Sequence, residues 1–474
     1  MTRFLACVLV ALASACGGGN DAGSPCDPVA QTGCGSGQVC ETVQSGAPAC
    51  FSPVLVRGTV SDLSTAALLD SARVVALDPS RAPLSAVAVT ANNGTTGGAY
   101  ELRLTRATRD STGKPVQGSI SLRADRQGYQ TFPGGLRTAF PVDLAGAQLV
   151  GGSWVLTGSL AALKLTPLVG GGAASIHGNV ATPPSGAGTL VVAEPVSGGA
   201  GFTGLPDDHG SYAIFNLTPG VQYVVTAYTK GSTYAPVTTS ALVAGDNAVA
   251  PLSPGNATGT ILAGGLIFNN GASSAIQVSL VVQSTYVGNL DRGETPPGLT
   301  VQGSGAGYTF DGVPDGKYVV LAAFGLDGDV RDVSGGGNTA APQVTVQGGA
   351  VQGTPPNFKI VPAVDLLSID GTTVGATPAT VTVATPTFTW RKGSVDSSAL
   401  TYRVLVFDSF GTQMWSHDQA ATTTSSITYA GAPLEAGMTY QLRILAIKET
   451  LPVPVSFTQL SQTEDVAGVF TYQP

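Results

Sequence analysis

The chain has 474 residues, of which 43% are hydrophobic and 11% charged, and its net charge is −8. This length allows several domains, each with enough apolar residues to bury a core. The 22 lysines and arginines are scattered and form no basic stripe, which argues against nucleic-acid binding. The 63 glycines and 31 prolines, together with many Val and Thr residues, favour an all-β fold with frequent turns.

The N-terminus predicts export. Residues 1–15 (MTRFLACVLVALASA) place Arg3 before a short apolar run that ends in small residues, which is typical of a secretory signal peptide. Cys16 follows directly, and LASAC resembles the lipobox of bacterial lipoproteins. This resemblance implies that residues 1–15 are removed and that Cys16 becomes a diacylated N-terminus. The alternative is a plain secretory signal followed by a structural cysteine.

A glycine-rich tether at 16–25 would let the folded part move away from the bilayer. No later stretch approaches the ~18 continuous apolar residues of a membrane helix. We therefore expect a lipoprotein of the cell envelope, held in the outer membrane by lipid on Cys16. Its expected partners are the membrane and envelope proteins or glycans, without nucleic acid.

Four further cysteines cluster in the segment 26–52, and the rest of the chain has none: Cys26, Cys34, Cys40 and Cys50. In an oxidising compartment they predict two disulfides, and three pairings are possible. A zinc site is the alternative, but the cysteines lack the short spacing that zinc ligands favour. The segment also resembles the Cys-rich stub that follows the lipid anchor in myxobacterial-type surface lipoproteins.

From residue 53 onward, short β-branched runs alternate with Gly, Pro, Asn and Asp, which predicts small β-sandwiches. In Ser64–Leu77, a Val pair and a following Asp-Pro favour a loop and then a strand over a helix. The predicted strands are Val54–Val60, Ala72–Leu77, Tyr100–Leu104, Ser119–Ala124, Trp154–Thr157, Leu190–Ala193, Tyr223–Tyr228, Gln277–Val282 and Tyr318–Phe324.

An internal repeat is the most informative feature. Gly210–Gly231 and Ala306–Gly328 both contain an aromatic strand, a turn with Pro and Gly, and then Tyr-Val-Val. Tyr223 and Tyr318 are therefore predicted early in a returning strand that sends alternate residues into the core. A weaker copy begins at Gly97–Leu104. A strand carrying glycine precedes each copy, at Arg57–Asp62, His177–Thr182 and Gly259–Gly265.

This pattern resembles the carboxypeptidase regulatory-like domain, a transthyretin-like sandwich of seven strands. The resemblance implies three copies, at 53–168, 173–254 and 256–361. Residues 363–474 instead resemble a fibronectin type III domain, through PTFTW, TYRVLVFD and LEAGMTYQLRILAI. That resemblance implies a buried Trp390 and a tyrosine corner, in which the Tyr440 hydroxyl bonds back to the backbone near Leu434.

Candidate chemistry is sparse. His177, His209 and His417 lie apart in sequence, with no nucleophile elbow or HExxH motif, and are predicted to be solvated histidines of loops or strands. Asp327–Asp332 lacks the Gly and Glu of a calcium-binding EF-hand loop and is predicted to be an acidic hairpin turn. The glycine runs Gly170–Gly172 and Gly335–Gly337 are predicted loops.

Tyr228, Tyr234 and Trp415 could stack on sugars, although core or scattered positions are the simpler expectation. We predict no catalytic residue, metal or cofactor, and the residues do not indicate a ligand site. The expected function is that of a non-enzymatic scaffold or display lipoprotein, and a carbohydrate-binding module is the alternative. An enzyme is the third hypothesis, since regulatory-like domains accompany carboxypeptidases.

Overall fold

The computed structural model describes residues 26–474 except 92–96, 134–140, 182–187, 208, 270, 274, 289, 323–325, 334–341, 376–377, 394–396, 451–455 and 465. Cys16 and Gly335–Gly337 lie outside these residues. The described chain consists of strands and three short 3₁₀ helices, Leu144–Gly146, Ser159–Ala161 and Gln283–Thr285. None of the described helices is long and apolar enough to cross a membrane. The predicted all-β class is confirmed.

Unit 1 contains the Cys-rich segment and the first sandwich. Two of its sheets, β10-β9-β4-β5 and β11-β12-β3-β13, enclose a core, with β6 added on β3. The third sheet, β2-β1-β7-β8, joins the Cys-rich segment to the sandwich. The strands are β1 (Val39–Val43), β2 (Ala49–Phe51), β3 (Leu55–Asp62), β4 (Arg73–Leu77), β5 (Ala88–Val89), β6 (Ala99–Arg103), β7 (Thr108–Arg109), β8 (Pro115–Gln117), β9 (Ser119–Asp125), β10 (Val142–Asp143), β11 (Gln148–Val150), β12 (Ser153–Leu156) and β13 (Ala162–Leu165).

Unit 2 is a sandwich of a three-stranded sheet, β17-β14-β21, and a larger sheet, β16-β15-β18-β19-β22, in which β20 also pairs with β18. The strands are β14 (Ala174–Asn179), β15 (Thr189–Pro195), β16 (Phe202–Gly204), β17 (Ser211–Leu217), β18 (Tyr223–Thr229), β19 (Ser232–Tyr234), β20 (Val237–Thr238), β21 (Gly245–Ala248) and β22 (Pro254–Ala257).

Unit 3 sets the sheet β26-β25-β28-β30-β31 against two smaller sheets, β23-β27 and β24-β32-β29. The strands are β23 (Leu262–Gly264), β24 (Leu266–Phe268), β25 (Ala275–Val282), β26 (Thr300–Ser304), β27 (Tyr308–Phe310), β28 (Gly316–Ala322), β29 (Asp329–Arg331), β30 (Gln343–Gln347), β31 (Ala350–Gln352) and β32 (Phe358–Pro362).

Unit 4 is a sandwich of β34-β33-β36-β39 and β35-β42-β40-β37-β38, with β41 paired to β40. The strands are β33 (Asp365–Ile369), β34 (Thr372–Thr373), β35 (Ala379–Val381), β36 (Thr387–Arg391), β37 (Thr401–Phe407), β38 (Gln413–Ala420), β39 (Thr424–Thr428), β40 (Thr439–Thr450), β41 (Ser456–Gln462) and β42 (Val469–Tyr472).

The predicted repeat has a structural counterpart. In each of units 1 to 3, the glycine of the opening strand is the cross-strand partner of the tyrosine in the aromatic strand, and the missing side chain leaves room for the phenol ring. Tyr223 and Tyr318 lie where predicted, at the start of β18 and within β28. Burial alternates at first after Tyr223, but the predicted alternation is wrong for β28, whose residues from Tyr318 to Ala322 are all buried because both of its faces are covered. The glycine–tyrosine pairs are Gly58–Tyr100, Gly178–Tyr212 and Gly264–Tyr308.

Strands β4 and β15 are buried on both faces, and they join the units. Val75 of β4 and Val192 of β15 belong to the hydrophobic cluster centred on unit 3. Their sequence neighbours Val74 and Val191 lie in the cores of units 1 and 2. Successive side chains of a strand point to opposite faces, so β4 and β15 each contribute to two cores. The units therefore pack sheet against sheet.

Unit 4 contacts both unit 3 and unit 1. Arg443 donates to the carbonyl oxygen of Leu290 at 2.7 Å. On the other side, Gln130 of unit 1 donates to the carbonyl oxygen of Ser409 at 2.9 Å. Leu63 of unit 1 lies in the core cluster of unit 4. Unit 1 thus contacts all three other units.

Candidate binding cleft

A cleft of about 490 Å³ lies where units 1, 2 and 3 meet. Strand β9 of unit 1, strand β16 of unit 2 and residues 292–295 and 297 of unit 3 all contribute to its walls. Small-molecule sites occupy this volume range and are frequent at domain interfaces. The cleft is therefore the candidate site of the protein.

Arg123 on β9 is the central charged group of the cleft. Its guanidinium makes two hydrogen bonds to Asp125, of 2.8 and 3.0 Å, and one to Glu294 of unit 3, of 2.9 Å. It also donates to the hydroxyl of Thr203 in unit 2 at 2.9 Å. Arg123 is only 3% exposed, so these partners compensate a charge removed from water.

The pKa values reflect this arrangement. Burial alone would lower the pKa of Arg123, but Asp125 and Glu294 together raise it above its ordinary value. Burial lowers the pKa of the neighbouring Arg81, and Glu294 opposes that effect. Arg123 therefore stays charged and fixed, and it holds the three units together as a buried cation between two carboxylates.

Asn216 of unit 2 forms a second set of contacts with unit 1 at the edge of the cleft. Its side-chain oxygen accepts the Gly128 N–H at 2.7 Å, and its side-chain nitrogen donates to the Tyr129 carbonyl at 2.8 Å. Its backbone N–H donates to the side chain of Gln127 at 3.2 Å. The residue adopts a left-handed conformation with φ of 66°, which Asn tolerates better than most residues. Units 1 and 2 are thus joined by backbone and side-chain contacts together.

One wall of the cleft contains a polar group without a partner. Thr295 is 3% exposed, and its hydroxyl has no hydrogen-bond partner among the described residues. Two half-buried aromatic rings, those of Phe202 and Phe215, line another part. The cleft thus combines apolar surface with fixed polar groups, as ligand sites do.

The predicted histidines do not form a catalytic arrangement in the described structure. The Nδ1 atom of His177 lies 2.8 Å from a carboxylate oxygen of Asp246, and both side chains are exposed. His417 stacks on the ring of Trp415, with centroids 5.8 Å apart. These two positions belong to different units.

The prediction of a simple acidic hairpin turn at Asp327–Asp332 needs correction, because Asp329–Arg331 form a strand, β29. Asp329 opens strand β29, which pairs with β32, and Asp329 is 3% exposed. Its carboxylate accepts the Ser273 N–H at 2.8 Å. Glu464 of unit 4 accepts the N–H groups of Asp327 and Gly328 at 2.6 and 2.8 Å. Backbone N–H groups thus form hydrogen bonds with the carboxylates of Asp329 and Glu464.

The three aromatic side chains considered for sugar stacking are not arranged as a platform. Tyr228 is buried and meets Tyr318 of unit 3 edge to face, with centroids 6.0 Å apart. Tyr234 is buried in the core of unit 2. Trp415 is half-buried at the edge of unit 4, where His417 and Tyr429 contact its ring. The simpler expectation of core positions therefore describes the two tyrosines.

The Cys-rich segment forms two disulfides, Cys26–Cys40 and Cys34–Cys50. A buried ion pair fastens this segment to the first sandwich, since Glu41 on β1 pairs with Arg109 on β7 and both side chains are almost fully buried. Arg109 also donates to the Ser52 carbonyl at 2.9 Å. The segment is therefore integrated into unit 1 and is not a separate stub.

The features implied for unit 4 are present. Trp390 is fully buried and meets Tyr402 edge to face at 5.5 Å. The hydroxyl of Tyr440 accepts the Glu435 N–H at 2.6 Å, as in a tyrosine corner. In unit 2 the Tyr223 hydroxyl likewise accepts the Thr218 N–H at 3.0 Å, whereas in unit 3 the Tyr318 hydroxyl donates to the Pro314 carbonyl at 2.8 Å.

Sequence reasoning missed the cleft residues Arg123, Glu294 and Thr295. A signal existed for the interface itself, because VVAL in β4 and LVVA in β15 are continuous apolar runs, not alternating ones. Such runs indicate strands that are buried on both faces. No comparable signal in the sequence marks the charged residues of the cleft. Arg123 and Glu294, for example, are 171 positions apart.

A family model described as the Rha78A-like, N-terminal immunoglobulin domain matches residues 369–458, within unit 4. No curated protein matches the chain. Unit 4 is thus similar to an immunoglobulin domain over most of its length. The finer resemblance to fibronectin type III, which shares the sandwich architecture, remains a prediction.

Solved structures similar to the chain include the Bacillus anthracis TIE protein, at 10% identity over 88% of this chain and 72% of that one, with a TM-score of 0.15. The shaft pilin SpaA of Lactobacillus rhamnosus GG is 11% identical over 43% of this chain and 97% of its own, also with a TM-score of 0.15. The major pilin subunit BcpA of Bacillus cereus is 8% identical over 65% and 97%, with a TM-score of 0.17. Scores this low carry no functional argument.

Proposed function

We propose that the protein is a non-enzymatic envelope lipoprotein, in which lipid on Cys16 tethers a compact platform of four sandwiches that contacts other envelope components. The observation that carries this proposal is the packing of unit 1 against all three other units. Charged groups lie at these boundaries, notably Arg123 between units 1, 2 and 3 and Arg443 between units 3 and 4. Buried polar contacts between units favour a single rigid body over independent domains on flexible linkers.

Anchoring is supported by the order of features along the chain. A signal-like segment, Cys16, a glycine-rich tether and a disulfide-bonded first unit follow one another. Disulfides persist in oxidising compartments outside the cytosol. An acylated Cys16 would hold the platform at the bilayer, since each buried CH₂ contributes about 0.8 kcal/mol.

Two measurements on the intact chain test the proposal. Cys16→Ser should move the protein from the membrane fraction to the soluble fraction, whereas Cys7→Ser should leave the fractionation unchanged. Small-angle scattering of the soluble Cys16→Ser protein should give a radius of gyration of ~23 Å, the value for one compact chain of this length. A membrane-bound Cys16→Ser protein would overturn the anchor, and a much larger radius would overturn the compact platform.

A further inference from the structure

The cleft between units 1, 2 and 3 has the chemistry of a site for an uncharged, polyhydroxylated ligand. We propose that it binds a short neutral glycan. The inference goes beyond the proposed platform, because a platform needs no ligand in its interior. It depends on the charge balance of the cleft, on a buried hydroxyl without a partner, and on two aromatic rings in the wall.

Charge balance excludes a strongly charged ligand. Arg123 already has two carboxylate partners, Asp125 within unit 1 and Glu294 across the boundary with unit 3. An anion in the cleft would face three carboxylates, and a cation would face three guanidinium groups. A ligand with hydroxyl groups can donate hydrogen bonds to the carboxylates and accept them from the guanidinium groups without a net charge of its own. The lining charges are Asp78, Arg81, Arg123, Asp125, Arg292 and Glu294.

The Thr295 hydroxyl points to a missing partner. A buried hydroxyl without a hydrogen bond destabilises the folded state, so folded proteins rarely keep one without reason. Thr295 follows Glu294 directly and lines the same cleft. A ligand hydroxyl placed there would satisfy this group and would lie next to the carboxylate that anchors Arg123.

The apolar part of the cleft suits the C–H faces of a sugar ring. Phe202 is held edge to face against Tyr223 at 6.1 Å, which fixes its orientation before any ligand arrives. Phe215 is half-buried in the neighbouring strand β17. Aromatic rings with fixed orientation give contact area at little entropic cost, and the polar groups opposite supply direction.

The test uses the soluble full-length Cys16→Ser protein on an array of neutral, sialylated and sulfated oligosaccharides, followed by calorimetry with the strongest neutral one. Thr295→Val keeps the shape of the side chain and replaces only the hydroxyl by a methyl group. We expect it to weaken binding about tenfold while the melting temperature stays the same or rises, because the variant removes an unsatisfied group. Thr345→Val on β30, outside the cleft, is the matched control and should bind as the parent protein does.

A second variant, Ser121→Phe, places a bulky side chain in the cleft and should abolish binding. Its melting curve shows whether it is folded, and Thr295→Val alone decides the question if it is not. Binding of acidic glycans only, absence of binding to any neutral glycan at millimolar concentration, or neutral binding that Thr295→Val leaves unchanged would each overturn the proposal. None of these outcomes affects the anchor or the compact platform, which fractionation and scattering test separately.

Discussion

The phenol hydroxyl of Tyr212 lies directly over the α-carbon of Gly178 on the adjacent strand, so that a Cβ at this glycine would approach the hydroxyl oxygen to 2.5 Å. Strand β14 therefore depends on a residue without a side chain at this position, although its backbone is extended. The same relationship joins Gly58 to Tyr100 in unit 1. It explains physically why the opening strand of each repeat carries a glycine.

Gly178→Ala should destabilise unit 2 by about 1–3 kcal/mol, because the new methyl group overlaps a buried ring that has no space to move. The measurement is chemical denaturation of the soluble protein. Gly259→Ala is the matched control, since a Cβ there meets nothing within 4 Å. Equal effects of the two substitutions would show that lost backbone entropy, and not the ring contact, dominates.

Removing the hydroxyl of Tyr100 and removing that of Tyr212 should have opposite effects on stability. The Tyr100 hydroxyl donates to the Ala161 carbonyl at 2.8 Å, so Tyr100→Phe should cost about 1 kcal/mol. The Tyr212 hydroxyl is buried without a partner in the described structure, so Tyr212→Phe should be neutral or stabilising. Paired denaturation curves check the sign, and a clear loss of stability in Tyr212→Phe would contradict this assignment.

Trp390→Ala should lower the stability of unit 4 by about 3–5 kcal/mol, because it removes a fully buried ring from the core. Trp390→Phe should cost less, since it keeps part of the ring volume and removes an indole N–H that has no partner among the described residues. Trp415→Ala, at the half-exposed edge of the same sandwich, is the control and should cost less than Trp390→Ala. Thermal denaturation of the three variants gives the order.

Glu41→Gln should destabilise unit 1 by about 3–5 kcal/mol, because it leaves the buried Arg109 guanidinium without its counter-charge. Glu101→Gln breaks the exposed pair with Arg57 and should cost about 0–1 kcal/mol. A double variant, Glu41→Leu with Arg109→Met, should recover much of the loss. A Glu41→Gln effect no larger than that of Glu101→Gln would show that the ion pair is not buried in solution.

Glu464 should make stability depend on pH at the boundary of units 3 and 4. Burial raises the pKa of its carboxyl to about 7, and the nearby Asp327 and Asp329 add to the rise, from an ordinary value of 4.5. The folded state therefore binds the proton more tightly than the unfolded state. The contribution of Glu464 to the stability of the folded state is fully present below about pH 4.5 and is lost as the pH rises through about 7.

Glu464→Gln should accordingly flatten the fall in stability between these pH values, because the amide oxygen can still accept the N–H groups of Asp327 and Gly328 but does not ionise. Denaturation midpoints from pH 4.5 to 8 measure the effect. The control is Glu435→Gln, an exposed carboxylate of the same unit that accepts from Ser64. A variant whose midpoints follow those of the parent protein would exclude Glu464 as the group responsible.

Much of the local structure could be predicted because it depends on neighbours in sequence. Alternating β-branched residues between Gly and Pro turns located the strands, including Tyr223–Tyr228 within β18 and Gln277–Val282 within β25. The recurring glycine and tyrosine located equivalent strands in three units. The crowded cysteines predicted disulfides, but their spacing left three pairings open. The hairpin of β1 and β2 places Cys40 opposite Cys50, yet the two are not bonded to each other. Cys40 is bonded to Cys26 and Cys50 to Cys34, so the tertiary structure decides the pairing.

The cleft depended on tertiary structure alone. Arg123, Thr203 and Glu294 belong to three different units, and no periodicity relates residues that meet only when whole sheets pack together. The sequence by itself determined the strands, the repeat and the class of fold, because side-chain alternation and turn chemistry act over a few residues. Sheet packing decided which faces became interfaces, which charges were buried and where the cleft formed, because burial sums contacts over distant parts of the chain.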